Sequence, residues 1–196
     1  KLMIVKIIIV LNVCFCIGLQ SLELPVNVNF LATGGFGVAS NHNDWLNPAV
    51  INDLNHSSIE FSSNNWIPEF DVKGSYMGYQ NNKQKLYGCY WKIDDIPVND
   101  GPSDIDDGYI NSKILFINYS QRFDVKENQF GLSFGYSYMN LLEKDDKGYK
   151  IDFGYKRRFS DKISVAFAVK NIFSQFKDDY QLPKLIKAAI NEGGKD

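Results

Sequence analysis

The residues Phe130-Gly131-Leu132-Ser133-Phe134-Gly135-Tyr136-Ser137-Tyr138 indicate what kind of fold the chain adopts, because large and small side chains alternate along them without a break. Every second residue is bulky and apolar or aromatic, and the residues between are glycine or serine. Successive side chains of a β-strand point to opposite faces. The pattern therefore predicts a strand with one bulky face and one small, polar face, whereas a helix would distribute the aromatic side chains around its circumference.

The same alternation continues on both sides of this stretch, in residues 115–123, 149–156 and 163–170. A sheet with one bulky apolar face must bury that face against a second sheet, inside a small barrel or in lipid. The chain as a whole predicts eight strands. They lie near residues 58–64, 69–79, 84–93, 112–123, 129–141, 149–159, 162–172 and 184–191.

Composition indicates one ordered domain without affinity for nucleic acid. The 196 residues are 14% aromatic and 22% charged, which argues against disorder. The net charge is -2, and no basic stripe stands out. We therefore expect no nucleic-acid partner.

Residues 1–21 have the features of a secretory signal peptide. Lys1 and Lys6 provide the positive start, residues 7–19 are an apolar run broken only by Asn12, and cleavage would fall near Ser21. The run is too short to span a bilayer as a helix. A buried strand or core helix is the alternative interpretation. Without this segment only Cys89 remains, so an internal disulfide is excluded.

The predicted connections favour a transmembrane barrel. From the second connection onward, short links alternate with longer polar ones. The links are therefore short at one end of an up-and-down sheet and long at the other. Barrels of the bacterial outer membrane have this asymmetry. Most predicted strands have the roughly 9 to 11 residues that cross the hydrocarbon when tilted. We therefore expect an exported protein of the bacterial outer membrane, in contact with its lipid. A soluble exported β-sandwich that binds a ligand is the alternative.

The segment before the strands, residues 22–57, breaks the alternation. It contains a glycine-rich run with Gly34, Gly35 and Gly37, followed by Asn47 and Pro48. Asparagine can cap exposed amides and proline is tolerated at the first helical position, so this pair predicts the start of a short helix. A phosphate-binding loop is the alternative for the glycines, but neither of the usual nucleotide-binding spacings is present.

No set of residues predicts catalysis, so we do not expect an enzyme or a cofactor. His42 and His56 are the only histidines, and neither belongs to a metal-binding spacing with Asp44 or Asp53. The aspartates of residues 94–107 could attract Ca²⁺, but without the spacing of an EF-hand they fit a solvated loop better.

Several stretches resemble the PorV/PorQ family of outer-membrane barrels, which are related to the FadL fatty acid transporters and in some cases serve the type IX secretion system. The resemblance is carried by residues 34–39, 45–49, 96–98, 119–123 and 159–165. It implies a barrel of about fourteen strands with an N-terminal plug in its lumen. Residues 22–57, with Gly34, Gly35, Gly37, Asn47 and Pro48, would form the plug, and residues 58–196 would form barrel strands.

The chain departs from that family in strand number and in its last residues. It supplies about eight strands and ends without a terminal aromatic residue, so we expect an N-terminal part of a longer barrel. A complete eight-stranded barrel is the alternative, but side chains would fill its lumen and leave no room for a plug. Two functions follow from the resemblance. The first is a component or adaptor of protein secretion, whose long loops dock secretion-system proteins. The second is a FadL-like channel for hydrophobic small molecules.

Overall fold

The computed structural model describes residues 38–39, 44–52, 54–67, 72–97, 109–141, 144–160, 163–176 and 184–192. Within these residues, no helix is long and apolar enough to cross a bilayer. They form one 3-10 turn, Pro48–Val50, and eight strands. The strands are β1 (Leu54–Ile67), β2 (Val72–Asn82), β3 (Gln84–Pro97), β4 (Tyr109–Val125), β5 (Asn128–Leu141), β6 (Lys144–Arg158), β7 (Ile163–Phe176) and β8 (Leu185–Glu192).

The eight strands form one antiparallel sheet in which each strand pairs with the next along the chain. The predicted all-β, up-and-down order is therefore confirmed. Strands β1 and β8 are the two edges, and the described sheet is not closed into a barrel. Tight links join β2 to β3 and β4 to β5, where Asn82 and Lys126 take positive φ angles of 52° and 56°.

Several strands are longer than predicted, which corrects the expected connections. Strand β1 starts at Leu54 and therefore includes the last four residues, 54–57, of the segment assigned to the plug. Strand β6 starts at Lys144 and not near residue 149. The link between β5 and β6 is only residues 142–143, so the expected strict alternation of short and long links fails there. The polar residues that open β6 pair in register with the end of β5, as in Asp145 with Asn140.

The two faces of the sheet differ as the alternation predicts. Along β5, Gly131, Ser133, Gly135 and Ser137 are buried. Between them the large side chains are exposed, and Phe134 has 53% of its surface open. We call these the polar face and the bulky face. The exposed bulky face includes Ile59, Phe61, Met77, Leu86, Ile117, Tyr119, Leu132, Phe134, Tyr136, Ile151, Ile186 and Ile190.

A bulge interrupts the alternation in β7. Three residues, Lys170 to Ile172, lie opposite the single residue Asp152 of β6. Asn171 has a φ of 56°, and its backbone N–H donates a hydrogen bond of 2.7 Å to the Asp152 carboxylate. The extra residues restore the same facing on both sides, so Ala168 and Ser174 both lie on the polar face.

The core lies on the polar face, under residues from the N-terminal part of the chain. Trp45 contacts Tyr87 and Phe116, with ring centroids 5.1 and 5.8 Å apart. Val38, Ala39 and Leu46 of the N-terminal region also belong to this cluster, and its other buried members come from the strands. They are Val72, Tyr76, Cys89, Trp91, Ile114, Met139, Ala166, Ala168 and Phe176.

Candidate functional site

Residues 44–52, which we call the seated segment, cross the polar face against β4, β5 and β6. Its centre is the Pro48–Val50 turn, capped by Asn47. The Ala49 amide donates to the Asn47 side-chain oxygen at 2.9 Å, and the Val50 amide donates to the Asn47 carbonyl at 3.1 Å. The helical start predicted at Asn47 and Pro48 is present, as a single turn.

Asn47 also fixes the position of this turn on the sheet. The side chain is fully buried, and its amide nitrogen donates to the carbonyl oxygens of Val38 at 2.9 Å and of Tyr155 at 3.3 Å. Together with the cap, these bonds use both amide hydrogens and the side-chain oxygen. One residue therefore joins two parts of the N-terminal region to β6.

A pair of glycines makes room for the turn. Gly131 of β5 and Gly154 of β6 are directly paired in the sheet. A Cβ atom on Gly154 would overlap the Asn47 side-chain oxygen and lie 2.8 Å from the Ala49 amide nitrogen. A Cβ atom on Gly131 would overlap the backbone of Pro48 and Ala49. We call this pair the glycine notch; any larger residue at either position displaces the turn.

Side chains of the sheet bind the backbone carbonyls on either side of the notch. Lys156 donates to the Ala39 carbonyl at 2.9 Å, and Gln80 donates to the Asn52 carbonyl at 2.7 Å. The Arg122 guanidinium donates to the Ile51 carbonyl. Since buried carbonyls must be paired, these bonds fix the end of the seated segment at Ile51 and Asn52, and they also fix Ala39, which precedes the segment.

Arg122 is itself oriented by a charged pair near the link between β4 and β5. Its Nε and Nη2 atoms donate to the two carboxylate oxygens of Asp124 at 2.9 and 3.0 Å, and Lys83 pairs with the same carboxylate at 2.9 Å. Partial burial alone would raise the pKa of Asp124, but hydrogen bonds and charges from Arg122 and Lys83 outweigh it and lower the pKa.

Further buried charges lie on the polar face around the seated segment. Lys85 contacts Asp44 at 2.6 Å and Glu60 at 3.2 Å, and Lys150 contacts Asp152 at 3.3 Å. Lys170, which is 1% exposed, lies 5.7 Å from the centroid of the Trp45 ring. Charged and aromatic side chains therefore line the polar face.

The structure brings together only part of the predicted site. Asn47 and Pro48 lie at the centre of the contact, whereas Gly34, Gly35 and Gly37 lie outside the described residues, as do residues 1–21, His42 and Asp53. His56 is exposed on β1. Among the residues described, no group of acids, histidines and cysteines has the arrangement of a metal site.

The glycine notch, Arg122 and Lys156 were not predicted as site residues. The alternation assigns all four residues to the small, polar face, but only the register of β4, β5 and β6 shows that they surround one turn. Comparison with family models, with curated proteins and with solved structures finds no match to this chain.

Proposed function

We propose that this chain is a bacterial outer-membrane β-barrel protein of PorV/PorQ type that acts as a component or adaptor of protein secretion. The observation that carries the proposal is that the exposed face of the sheet is apolar, whereas a sheet that faces water is polar on its exposed side. Large apolar side chains are exposed across the sheet, whereas serine, asparagine, lysine and arginine are buried on the other face. A transmembrane barrel has this arrangement, with an apolar outside and a polar inside.

Energetics favour lipid as the environment of the bulky face. Exposed Phe61, Phe134 and Ile190 each leave large apolar areas uncovered, and each square ångström costs roughly 25 cal/mol in water. Hydrocarbon removes this cost. In a soluble sandwich, by contrast, a second layer would cover these side chains, and the cover in the described residues lies on the opposite face.

Further strands complete the barrel in this proposal. Edge strands β1 and β8 do not pair with each other, and unpaired backbone groups are very unfavourable in hydrocarbon. The resemblance to PorV/PorQ implies additional strands that would join these edges. The residues before β1, 22–53, then supply the plug, and the seated segment on the glycine notch supports that assignment.

A FadL-like channel for hydrophobic small molecules is the second candidate function. It is favoured by the polar residues buried on the face that would line the lumen, which include Asn118, Ser120 and Ser133.

Location is tested first, by flotation of the full chain with phospholipid vesicles and by carbonate washing of membranes from expressing cells. The proposal expects the protein to float and to resist the wash. Recovery in the aqueous fraction would instead support the soluble sandwich.

Secretion and transport are separated in cells with and without the protein. A secretion component should be captured together with secretion-system proteins from detergent extracts. In cells that lack it, exported cargo should stay inside the cell, and the uptake of a labelled fatty acid should not change. A channel gives the opposite result. Loss of neither activity would contradict both candidate functions.

A further inference from the structure

We propose that the bilayer crosses the bulky face obliquely, at about 40° to the rows of paired residues. A row is a set of residues that pair directly across neighbouring strands. In this arrangement Gln84 and Arg157 lie at one surface of the membrane, and Lys113 and Lys147 lie at the other. The inference rests on the proposed membrane location and adds which residues lie at each surface.

Near the end of the sheet with the tight links, one row changes from polar to apolar along its length. Gln84 of β3 pairs with Gln121 of β4. The same row continues through Leu132 of β5 to Phe153 of β6. On β6 the exposed polar residue of this face is Arg157, four residues farther toward the end of the strand. The boundary of the apolar residues has therefore moved along the strands.

The row of Arg157 shows the same change farther across the sheet. Arg157 pairs with Asn128 of β5 and with Val165 of β7, and Val165 pairs with Ile190 of β8. This row is therefore polar on β5 and β6 and apolar on β7 and β8. On β4 it ends with an apolar exception, Val125, beside the link of residues 126–127.

The opposite boundary moves in the same direction. The row that contains Lys113 of β4 continues to Asp145 of β6 and is polar. In the next row toward the middle of the sheet, Leu115 of β4 and Tyr138 of β5 are followed by Lys147 of β6. The polar boundary is thus at Lys113 on β4 but two residues closer to the middle, at Lys147, on β6.

The two shifts give similar angles. Residues rise about 3.3 Å along a strand, and neighbouring strands lie about 4.8 Å apart. From Gln84 to Arg157 the boundary moves four residues over three strand spacings, and from Lys113 to Lys147 it moves two residues over two spacings. The angles are therefore about 42° and about 35°. Closure of a barrel independently requires strands to tilt by about 35–45°.

The height of the apolar band agrees with this tilt. Lys147 and Arg157 are about 33 Å apart along β6. A tilt of about 40° reduces this separation to roughly 25 Å across the bilayer, which is the height of the apolar band of outer-membrane barrels. The polar residues at the two boundaries therefore have the spacing of the two surfaces of the hydrocarbon.

The test measures the depth of single positions of the full chain in phosphatidylcholine vesicles. Cys14→Ser, Cys16→Ser and Cys89→Ala remove the native thiols, and one new cysteine on the bulky face carries a nitrobenzoxadiazole label. Phospholipids brominated at different depths of their acyl chains quench the label, and the pattern of quenching gives its distance from the centre of the bilayer. Flotation with the vesicles shows that each variant is inserted.

Positions of one row should differ in depth, because two strand spacings at about 40° separate them by roughly 6 Å along the membrane normal. The label at Phe153→Cys should be deeper than at Gln121→Cys by this distance. At the opposite boundary the order reverses, so Leu115→Cys should be deeper than Lys147→Cys.

A matched pair from different rows should instead have equal depths. Gln84→Cys and Arg157→Cys lie four residues apart in register but on the same oblique boundary. If the rows ran parallel to the membrane, these two depths would differ by roughly 13 Å, and the members of each row would be equally deep. That result overturns the oblique crossing and leaves the membrane location standing, whereas failure of the wild type to float overturns both.

A measurement on the unaltered chain does not depend on the folding of any variant. Val125 and Ile190 belong to one row, and both are exposed, by 56% and 76%. A carbene reagent that partitions into the hydrocarbon should modify Ile190 and leave Val125 unmodified, as read by peptide mass spectrometry. Equal modification of the two residues in vesicles would contradict the oblique crossing.

Discussion

Gly154 and Gly131 show how single residues position the seated segment. Each lies where a methyl group would overlap the capped turn at Asn47 and Pro48. Their role depends on the absence of a side chain and on close approach of two backbones. Neither has the positive φ angle for which glycine is often retained.

Gly154→Ala should destabilise the protein by about 1–3 kcal/mol, the usual cost of inserting a methyl group into a packed contact. Loss of the glycine's freedom in the unfolded chain offsets only about 0.4–1 kcal/mol of this. Urea unfolding in detergent micelles measures the difference. Gly88→Ala is the matched control, since its methyl group meets an ordinary contact. Equal stability of Gly154→Ala and wild type would contradict the glycine notch.

Asp124 gives the site a defined dependence on pH. Its pKa in the folded protein is lowered by Arg122 and Lys83, so the ionised carboxylate stabilises the fold at pH values above the unfolded pKa of about 3.9. This stabilisation is lost as the pH falls through the folded pKa.

The free-energy difference between wild type and Asp124→Asn should therefore be constant near neutral pH and shrink below about pH 4. Urea unfolding at a series of pH values measures it. Salt at 1 M, where the Debye length is about 3 Å, should reduce the difference at neutral pH. A difference that grows toward low pH would have the wrong sign.

Individual strands explain how far the sequence predicts the fold. Alternation is unbroken in β5, so its position and its two faces follow from the sequence. The burial of Gly135 and Ser137 does not, because alternation does not show which face the rest of the chain covers. The charged residues Lys144 to Lys147 predict a loop at the start of β6. In the structure, pairing with β5 continues through these residues, beyond the apolar part of the strand. The bulge at Asn171 was also missed, since a polar residue in a strand does not reveal an altered register.

The site was predicted to a smaller extent, for a related reason. Asn47 and Pro48 have a local signature, because capping depends on neighbours in the chain. The glycine notch has none, since its two glycines lie 23 residues apart and more than 80 residues after the turn. Only strand register brings these three parts together.

The bulky face of β5 gives the sharpest distinction between lipid and water. Phe134→Arg places a cation in the middle of the strand, which costs roughly 2–4 kcal/mol at the bilayer midplane. It should reduce flotation with vesicles and resistance to carbonate washing. Glu127→Arg, in the exposed link after β4, is the control and should insert normally. Improved solubility of Phe134→Arg with an unchanged fold would indicate that this face meets water.

At the scale of the molecule, the lysines of the described residues include deeply buried and exposed ones. Lys85 and Lys170 are 4% and 1% exposed on the polar face, while Lys126 and Lys184 are exposed. Asp44 and Trp45 of the seated segment cover the first pair, because Asp44 contacts Lys85 and the Trp45 ring lies against Lys170.

A sulfonated amine-reactive ester should therefore modify Lys126 and Lys184 rapidly in the native protein and leave Lys85 and Lys170 unmodified until the protein is denatured. Peptide mass spectrometry at increasing times measures the rates. Gly154→Ala, which displaces the covering turn, should increase modification of Lys170. Fast labelling of Lys170 in the native wild type would show that the polar face is open.

The contacts of Asn47 with Tyr155 and of Lys156 with Ala39 span 108 and 117 positions of the chain. The ribosome makes the seated segment early, but its docking place exists only once the hairpin of β5 and β6 has formed. Assembly thus reverses the order of synthesis, because the seated segment cannot dock until a later part of the chain has folded.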